Sequence, residues 1–259
     1  MDAFYEPDGD RYRATELTRG PWDPGAQHAG PPAAQIAREL EALGGDLDGP
    51  APRIGRITYE ILRAVPITTL AVEARVVKPG RRVELCEATL ADESGQLMRA
   101  TAWRLRTGPV ELPADIPGLE EDGPEGPEAA APGDFFPTGE DVGYHTAMEY
   151  RFLSGAFMEA GPATVWMRMR APLVAGEEPS PLVRVMAAAD SGNGVSAALD
   201  WRRFLFINVD LTVHLHRYPE SEWVCLDALT LPEATGIGLA DTLLRDERGR
   251  IGRAVESEL

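Results

Sequence analysis

The 259-residue sequence predicts an α+β protein made of two tandem modules, each a helix followed by four antiparallel strands. Two observations carry this reading: the chain repeats itself at a fixed offset, and an acidic, proline-rich break separates the copies. Sliding the chain by 154 residues lays Ile54–Leu105 on Asn208–Leu259 without a gap, with eleven identities in fifty-two positions. Thr58 meets Thr212, Arg63 meets Arg217, and the turn Asp92-Glu93-x-Gly95 meets Asp246-Glu247-x-Gly249. Identities held in one register mark tandem copies of one structural unit.

The elements follow in order. Pro31 and Pro32 suit a helix opening, where a missing N–H costs little. Ala33, Ile36, Ala37 and Leu40 then form an i, i+3, i+4, i+7 stripe that Gly44-Gly45 ends. In the second copy Ser180 is the N-cap and Pro181 the first helical residue, Leu182, Val185, Met186 and Ala189 are the stripe, and Gly192 closes it. Helices are expected near 31–43 and 181–191. Strands are expected at 53–63, 69–78, 82–92 and 96–107, with counterparts at 206–217, 223–231, 236–246 and 250–259. Further strands are expected at 11–17, 163–170 and 145–152. ADESGQ and RDERGR read as hairpin turns with glycine in the left-handed position. One helix covers one face of a sheet and leaves an edge unpaired, so two copies set edge to edge relieve each other.

Between the copies, 109–134 holds six prolines, eight carboxylates and no basic residue, too little apolar surface to offset its ordering entropy. The expected division is therefore a first module at 1–108, a linker at 109–141 and a second module at 142–259. A net charge of −17 opposes nucleic acid and anionic membrane surfaces, which select Lys and Arg. Lys78 is the only lysine and lies outside any phosphate-binding motif, which leaves Schiff-base and P-loop chemistry without a carrier. The acidic, polar start lacks the basic and apolar regions of a signal peptide. Cys86 and Cys225 stand far apart, as buried thiols do in a reducing cytoplasm.

The strings GPWDPGAQHAGPPAAQIARELE, RITYEILRAVP and VELCEATLADESGQLMRATAWRLR resemble the thioesterase-like superfamily, most closely the type II acyl-CoA thioesterases built as a double hotdog. The resemblance covers nearly all of the chain outside the linker. It implies a long helix wrapped by a sheet in each half, and hydrolysis of fatty acyl thioesters with no metal, cofactor or covalent intermediate. The type II pattern has an aspartate near the end of the second helix, a Thr or Asn early in the next strand and a Gln in the last strand. Here these positions hold Asp190, Asn208 and Glu256. The last departs from the pattern, since an ionised carboxylate only accepts hydrogen bonds whereas an amide also donates. Crowding of two carboxylates raises one pKa, and a protonated Glu256 would mimic the amide weakly. If the extra carboxylate impairs the site, Glu256→Gln should raise the rate.

A thioester needs an oriented water, a base and oxyanion donors. Asp190 would be the base or water anchor, Asn208 would orient the water, and His28, Ala29 and Gly30 at the first helix start would bind substrate. At the repeat-equivalent positions stand Ile54 and Ala102, so the copies keep a scaffold and diverge at these polar sites. His214 and His216 lack a third metal ligand with suitable spacing. Trp103, Trp166, Trp201 and Trp223 read as core or interface anchors, and Arg202 and Arg203 as solvated residues that could meet coenzyme A phosphates. The expected protein is a cytoplasmic acyl-CoA thioesterase of lipid metabolism that acts on an acyl-CoA or acyl-carrier thioester. It pairs as a homodimer through sheet edges and apolar strand faces. The alternatives are a catalytically weak acyl-thioester binding protein of the same fold, and a hydratase built on His28.

Overall fold

The computed structural model describes residues 2–44, 47, 52–113, 116, 123–135, 137–200 and 202–259. In the first copy β1 (Tyr5–Asp8) and β2 (Arg11–Ala14) precede α1 (Gly30–Ala42). Four strands follow it: β3 (Arg53–Ile61), β4 (Thr69–Lys78), β5 (Val83–Asp92) and β6 (Gly95–Leu105). The second copy opens with β7 (Ala131–Pro132), α2 (Tyr144–Ala147), β8 (Met148–Ser154), β9 (Ala163–Met169), α3 (Pro181–Ala189) and α4 (Gly192–Val195). It closes with β10 (Asp210–Leu215), β11 (Val224–Pro232), β12 (Gly238–Asp246) and β13 (Gly249–Glu258). The last three strands of each copy match at the 154-residue offset to within a residue or two.

All these strands form one sheet, in the order β1-β2-β4-β5-β6-β3-β10-β13-β12-β11-β9-β8-β7. The copies join where β3 pairs antiparallel with β10, and Thr58 stands opposite Thr212. The Thr212 hydroxyl donates to Thr58 Oγ1 at 3.2 Å, so repeat-equivalent residues touch on the seam. The helices lie inside the curl and pack antiparallel: Gly30 abuts the Ala187 carbonyl, while the Ser180 hydroxyl donates to Glu41 Oε2 at 2.5 Å. Pro31 and Pro32 sit in the first turn of α1, and Ser180 Oγ accepts the Val183 N–H at 3.2 Å as the N-cap of α3. Ile36, Leu40, Leu182, Val185 and Met186 are fully buried between the helices and the sheet.

The matched D-E-x-G turns have matched physics. Asp92 accepts the Ser94 N–H and Asp246 the Arg248 N–H, while Gly95 and Gly249 take φ of 118° and 107°, which favour glycine. Arg63 donates to the Gln96 carbonyl and Arg217 to that of Gly249, so the arginine shared by both copies clasps the same hairpin.

Three expectations are corrected. The strand expected from 206 begins at Asp210 because its pairing with β13 slips by one residue before that point. Helix α3 stops at Ala189, and α4 is a separate turn where a simple C-cap was expected. The segment expected as a linker docks in part on the second copy: the Glu125 carbonyl accepts Trp166 Nε1–H at 2.8 Å, and Ala131–Pro132 pairs with β8. The short run of alanines buries Ala130 against Trp166, Trp223 and Cys225, a local feature that the acidic composition of the whole segment hides. Residues 114, 115 and 117–122 of that segment, and Trp201, lie outside the described residues. On the outer face of the sheet Glu60–Arg99, Arg75–Glu87 and Asp241–Arg253 form ion pairs, and His214 is exposed there.

The Arg217–Asp246 pair gives a test of the hairpin clasp, because the Asp246 side chain is 1% exposed whereas Asp92 is solvated. Removing one partner of a buried pair strands a charge. Arg217→Ala should cost about 2–4 kcal/mol in denaturant unfolding, and Arg63→Ala less than about 1 kcal/mol. Equal losses would separate the repeat identity from its proposed role.

Candidate active site

A cavity of about 480 Å³ opens where the start of α1, the end of α3 and the segment before β10 converge. Asp190, Asn208, Glu256, His28 and Ala29 all line it, so residues from both copies meet in one place. Gly30, expected beside them, is absent from the wall. A Cβ at Gly30 would stand 2.5 Å from the Ala187 carbonyl oxygen, so glycine there serves the helix contact.

Asp190 is the C-cap of α3, where the helix dipole disfavours negative charge. The neighbouring start of α1, which favours it, offsets this. Asn208 Nδ2 donates to Asp190 Oδ1 at 2.8 Å, and His28 Nδ1 lies 3.0 Å from Asp190 Oδ2. The slip before β10 makes the first contact possible. In the β10–β13 register Thr212 pairs with Val255, whereas Asn208 bridges Glu258, one residue out of step. A one-residue slip exchanges the faces of a strand, and here it turns Asn208 inward. Asp210, beside the slip, accepts the Ser257 N–H at 2.7 Å and so mends the interrupted ladder.

His28 Nδ1 also lies 3.1 Å from the Gly30 N–H. One ring nitrogen cannot serve both neighbours: unprotonated it accepts from Gly30, and protonated it donates to Asp190 and releases the Gly30 N–H. The ring is stacked on Tyr144, with centroids 3.8 Å apart. Tyr144 is fixed in turn, its hydroxyl donating to the Ala187 carbonyl at 2.6 Å and lying 2.9 Å from Ser191 Oγ.

Glu256 and Glu258 alternate with Ala254 on the inward face of β13, and both are buried. Glu256 is 1% exposed, and its Oε1 has no hydrogen-bond partner among the described residues. Burial, then the charges of Asp190 and Glu258, hold its pKa well above the usual carboxylate range, which favours the neutral acid. Burial, followed by Asp190, pushes Glu258 up to about 7. Asn193 Nδ2 donates to Glu258 Oε2 at 3.2 Å and to the Phe206 carbonyl at 3.1 Å. The departure from glutamine at 256 is therefore smaller than the sequence implies, because a protonated carboxyl both donates and accepts.

Sequence reasoning passed over Tyr144, Asn193, Glu258 and Trp22. The period of two in VESE carried a signal for Glu258. Trp22 and Tyr144 carried none, since Trp22 reaches the cavity from a loop and Tyr144 backs His28 from a single turn. Among the described residues no cluster of His, Cys, Asp and Glu suits a metal ion.

A curled antiparallel sheet around paired helices, with a shared acidic cavity between the copies, defines a double-hotdog protein. Family models assign the two copies separately: the acyl-CoA thioesterase N-terminal domain matches residues 18–105, and the acyl-CoA thioesterase C-terminal domain matches residues 121–255. The chain belongs to the acyl-CoA thioesterase family and is a thioester hydrolase. Solved structures share the fold. A candidate thioesterase II from Thermobifida fusca YX aligns with a TM-score of 0.73 at 19% identity, covering 97% of this chain and 92% of that one. A hot dog fold protein of unknown function from Alicyclobacillus acidocaldarius aligns at 0.70 and 14%, covering 98% and 94%. An acyl-CoA thioesterase II from Mycobacterium marinum aligns at 0.61 and 14%, covering 98% and 92%. Comparison with curated protein sequences finds no match.

The raised pKa of Glu258 sets a direction for stability. Its carboxyl keeps a proton in the folded state between 4.5 and about 7 that the unfolded chain has lost. Its contribution is thus fully present below the unfolded value and is lost as pH rises towards 7. Glu258→Gln keeps an acceptor for Asn193 and removes the titration. The variant should match wild type near pH 4.5 and melt higher by on the order of 5 °C at pH 8. A difference in melting temperature that does not change with pH would show that Glu258 ionises as freely folded as unfolded.

Proposed function

We propose that the chain hydrolyses acyl-CoA or acyl-carrier thioesters with a water held by Asp190, Asn208 and Glu256. The observation that carries this reading is the convergence of those three side chains with His28 in one cavity, around an aspartate placed against the dipole of its own helix. Asn208 fixes one oxygen of Asp190, and each carboxylate oxygen keeps a lone pair for a water proton. Water attacks the thioester carbon and gives its proton to Asp190. The oxyanion that forms is met by the N–H end of α1 at Ala29, which lines the cavity. Collapse of the intermediate expels the thiolate, a good leaving group that needs little acid assistance. Neutral Glu256 donates to the water or the intermediate, as the amide at this place in the type II pattern would.

Arg202 and Arg203 are exposed next to Phe204, Arg202 paired with Asp200 and Arg203 over the Phe204 ring, and their charge would suit coenzyme A phosphates. Both cysteines are buried free thiols, which suits a reducing cytoplasm. A homodimer would use sheet edges or the apolar patch of Leu229, Leu231, Ile237 and Leu239, since ion pairs cover the central outer face.

Thiol release from a panel of acyl-CoA chain lengths tests the reading. Asp190→Asn should fold normally and lose about 10²–10⁴-fold in kcat. Near-wild-type turnover would remove Asp190 from the chemistry. Because burial favours the neutral form of Glu256, Glu256→Gln should stay within about threefold of wild type at pH 7, which is less than one hydrogen bond's worth. At higher pH wild type should lose activity as Glu256 ionises, and the Gln variant should not. A rate that drops steeply in the Gln variant at pH 7 would instead make Glu256 a working acid or base.

A further inference from the structure

An apolar annex of about 50 Å³ continues from the main cavity, walled by Phe157, Ala197, Ala198, Leu199 and Phe204. Gly194 lies on the wall of both spaces. The two glycines of α4 contrast sharply. A Cβ at Gly192 would stand 2.4 Å from Thr242 Oγ1 and 3.1 Å from Glu256 Oε1, so packing demands glycine there. A Cβ at Gly194 would meet nothing within 4 Å. Neither residue has a positive φ, so the backbone does not demand glycine at 194 either. Glycine within a helical turn is less stable than alanine. What its presence secures at 194 is open space at the junction of two cavities.

We propose that Gly194 is a specificity-determining position: its missing side chain keeps open the passage by which an unbranched acyl tail runs from the reacting centre into the annex. The inference rests on the thioester-hydrolase reading and names the part of the substrate that fills the second space. The chemistry of the annex selects that tail. Its walls are aromatic and aliphatic apart from Asn193, which already donates to Phe206 and Glu258, and the indole of Trp22. A hydroxyl or carboxyl on the tail would lose its hydrogen bonds to water there for few in return. One water needs about 10–15 Å³ on this measure, so the annex seats a few methylene-sized groups. Short acyl groups end in the main cavity, and longer ones gain contacts only by passing Gly194.

The test compares wild type with Gly194→Ala, Gly194→Val and Gly194→Leu in the full chain, using acetyl-, butyryl-, decanoyl- and lauroyl-CoA. Lauroyl turnover relative to butyryl turnover should fall stepwise with side-chain size, by about 10-fold or more at Leu. Butyryl turnover should fall less than lauroyl turnover at every step, so the ratio and not the basal rate carries the test, and the Ala variant should melt no lower than wild type. Calorimetric binding of lauroyl- and butyryl-CoA reads the same selection without turnover. Binding that discriminates by chain length at Gly194 in a protein without thiol release would uphold the tail passage and overturn the hydrolase assignment. Turnover and binding with unchanged chain-length ratios would overturn the role of Gly194 and leave hydrolysis standing. If the Leu variant does not fold, the Ala and Val variants decide between these outcomes.

Discussion

The antiparallel pairing of β3 with β10 is the contact on which the rest depends. It turns two half-sheets into one, and its register sets Thr58 against Thr212. A seam that pairs equivalent residues fixes a local two-fold relation between the copies. That relation makes α1 and α3 antiparallel, with the start of each beside the end of the other. The cavity is a consequence. His28 comes from the start of α1 and Asp190 from the end of α3, and neither copy alone would hold both. A shift of one residue along the seam would reverse the face of every side chain on it. The sheet therefore has little freedom to pair otherwise while Ile57, Tyr59, Leu211 and Val213 remain in the core.

The seam also delivers an unusual concentration of acid. Asp190, Glu256 and Glu258 share a buried region, with Asp210 close enough to act on both glutamates. Three ionised carboxylates there would be costly, because burial and mutual repulsion act in the same direction. Protonating Glu256, the direction its burial favours, removes part of that cost. Unlike environments thus act on like groups: Asp190 is held by Asn208 and His28, Glu256 is biased to its neutral form, and Glu258 is poised near pH 7.

Much of this was legible in the sequence, and the limits have physical causes. The repeat gave the architecture because strand period, turn chemistry and helix stripes agree in both copies. Asp190, Asn208 and Glu256 were legible through family resemblance and through divergence from Ile54 and Ala102 at equivalent places. The ionisation of Glu256 was not, because it depends on burial and on neighbours from three different elements. The slip that turns Asn208 inward was hidden as well, since an alternating pattern reads the same on either side of a one-residue shift. Ala130 escaped for another reason: composition averaged over an acidic, proline-rich segment masks the buried Pro127 and Ala130 within it.

The two-fold relation poses a last question: why the acidic site exists once among the described residues. The equivalent place lies where α1 ends and α3 starts, and groups of a different kind occupy it. Arg104, the counterpart of Glu258, donates to the Leu43 carbonyl at 2.7 Å and to that of Gly44 at 3.3 Å, capping the end of α1. Its charge is met by buried Glu84 at 3.4 Å. Tyr218 Oη accepts the Ile54 N–H at 2.8 Å, where Asn208 would stand in the other copy, and Glu41 is tied to Ser180. A cation at a helix C-terminus favours stability, whereas the anion Asp190 at the other helix C-terminus opposes it. The two copies have therefore divided two tasks that one symmetric arrangement could not combine. One helix junction carries the groups that stabilise the fold, and the other keeps open space and unfavourably placed charge for chemistry.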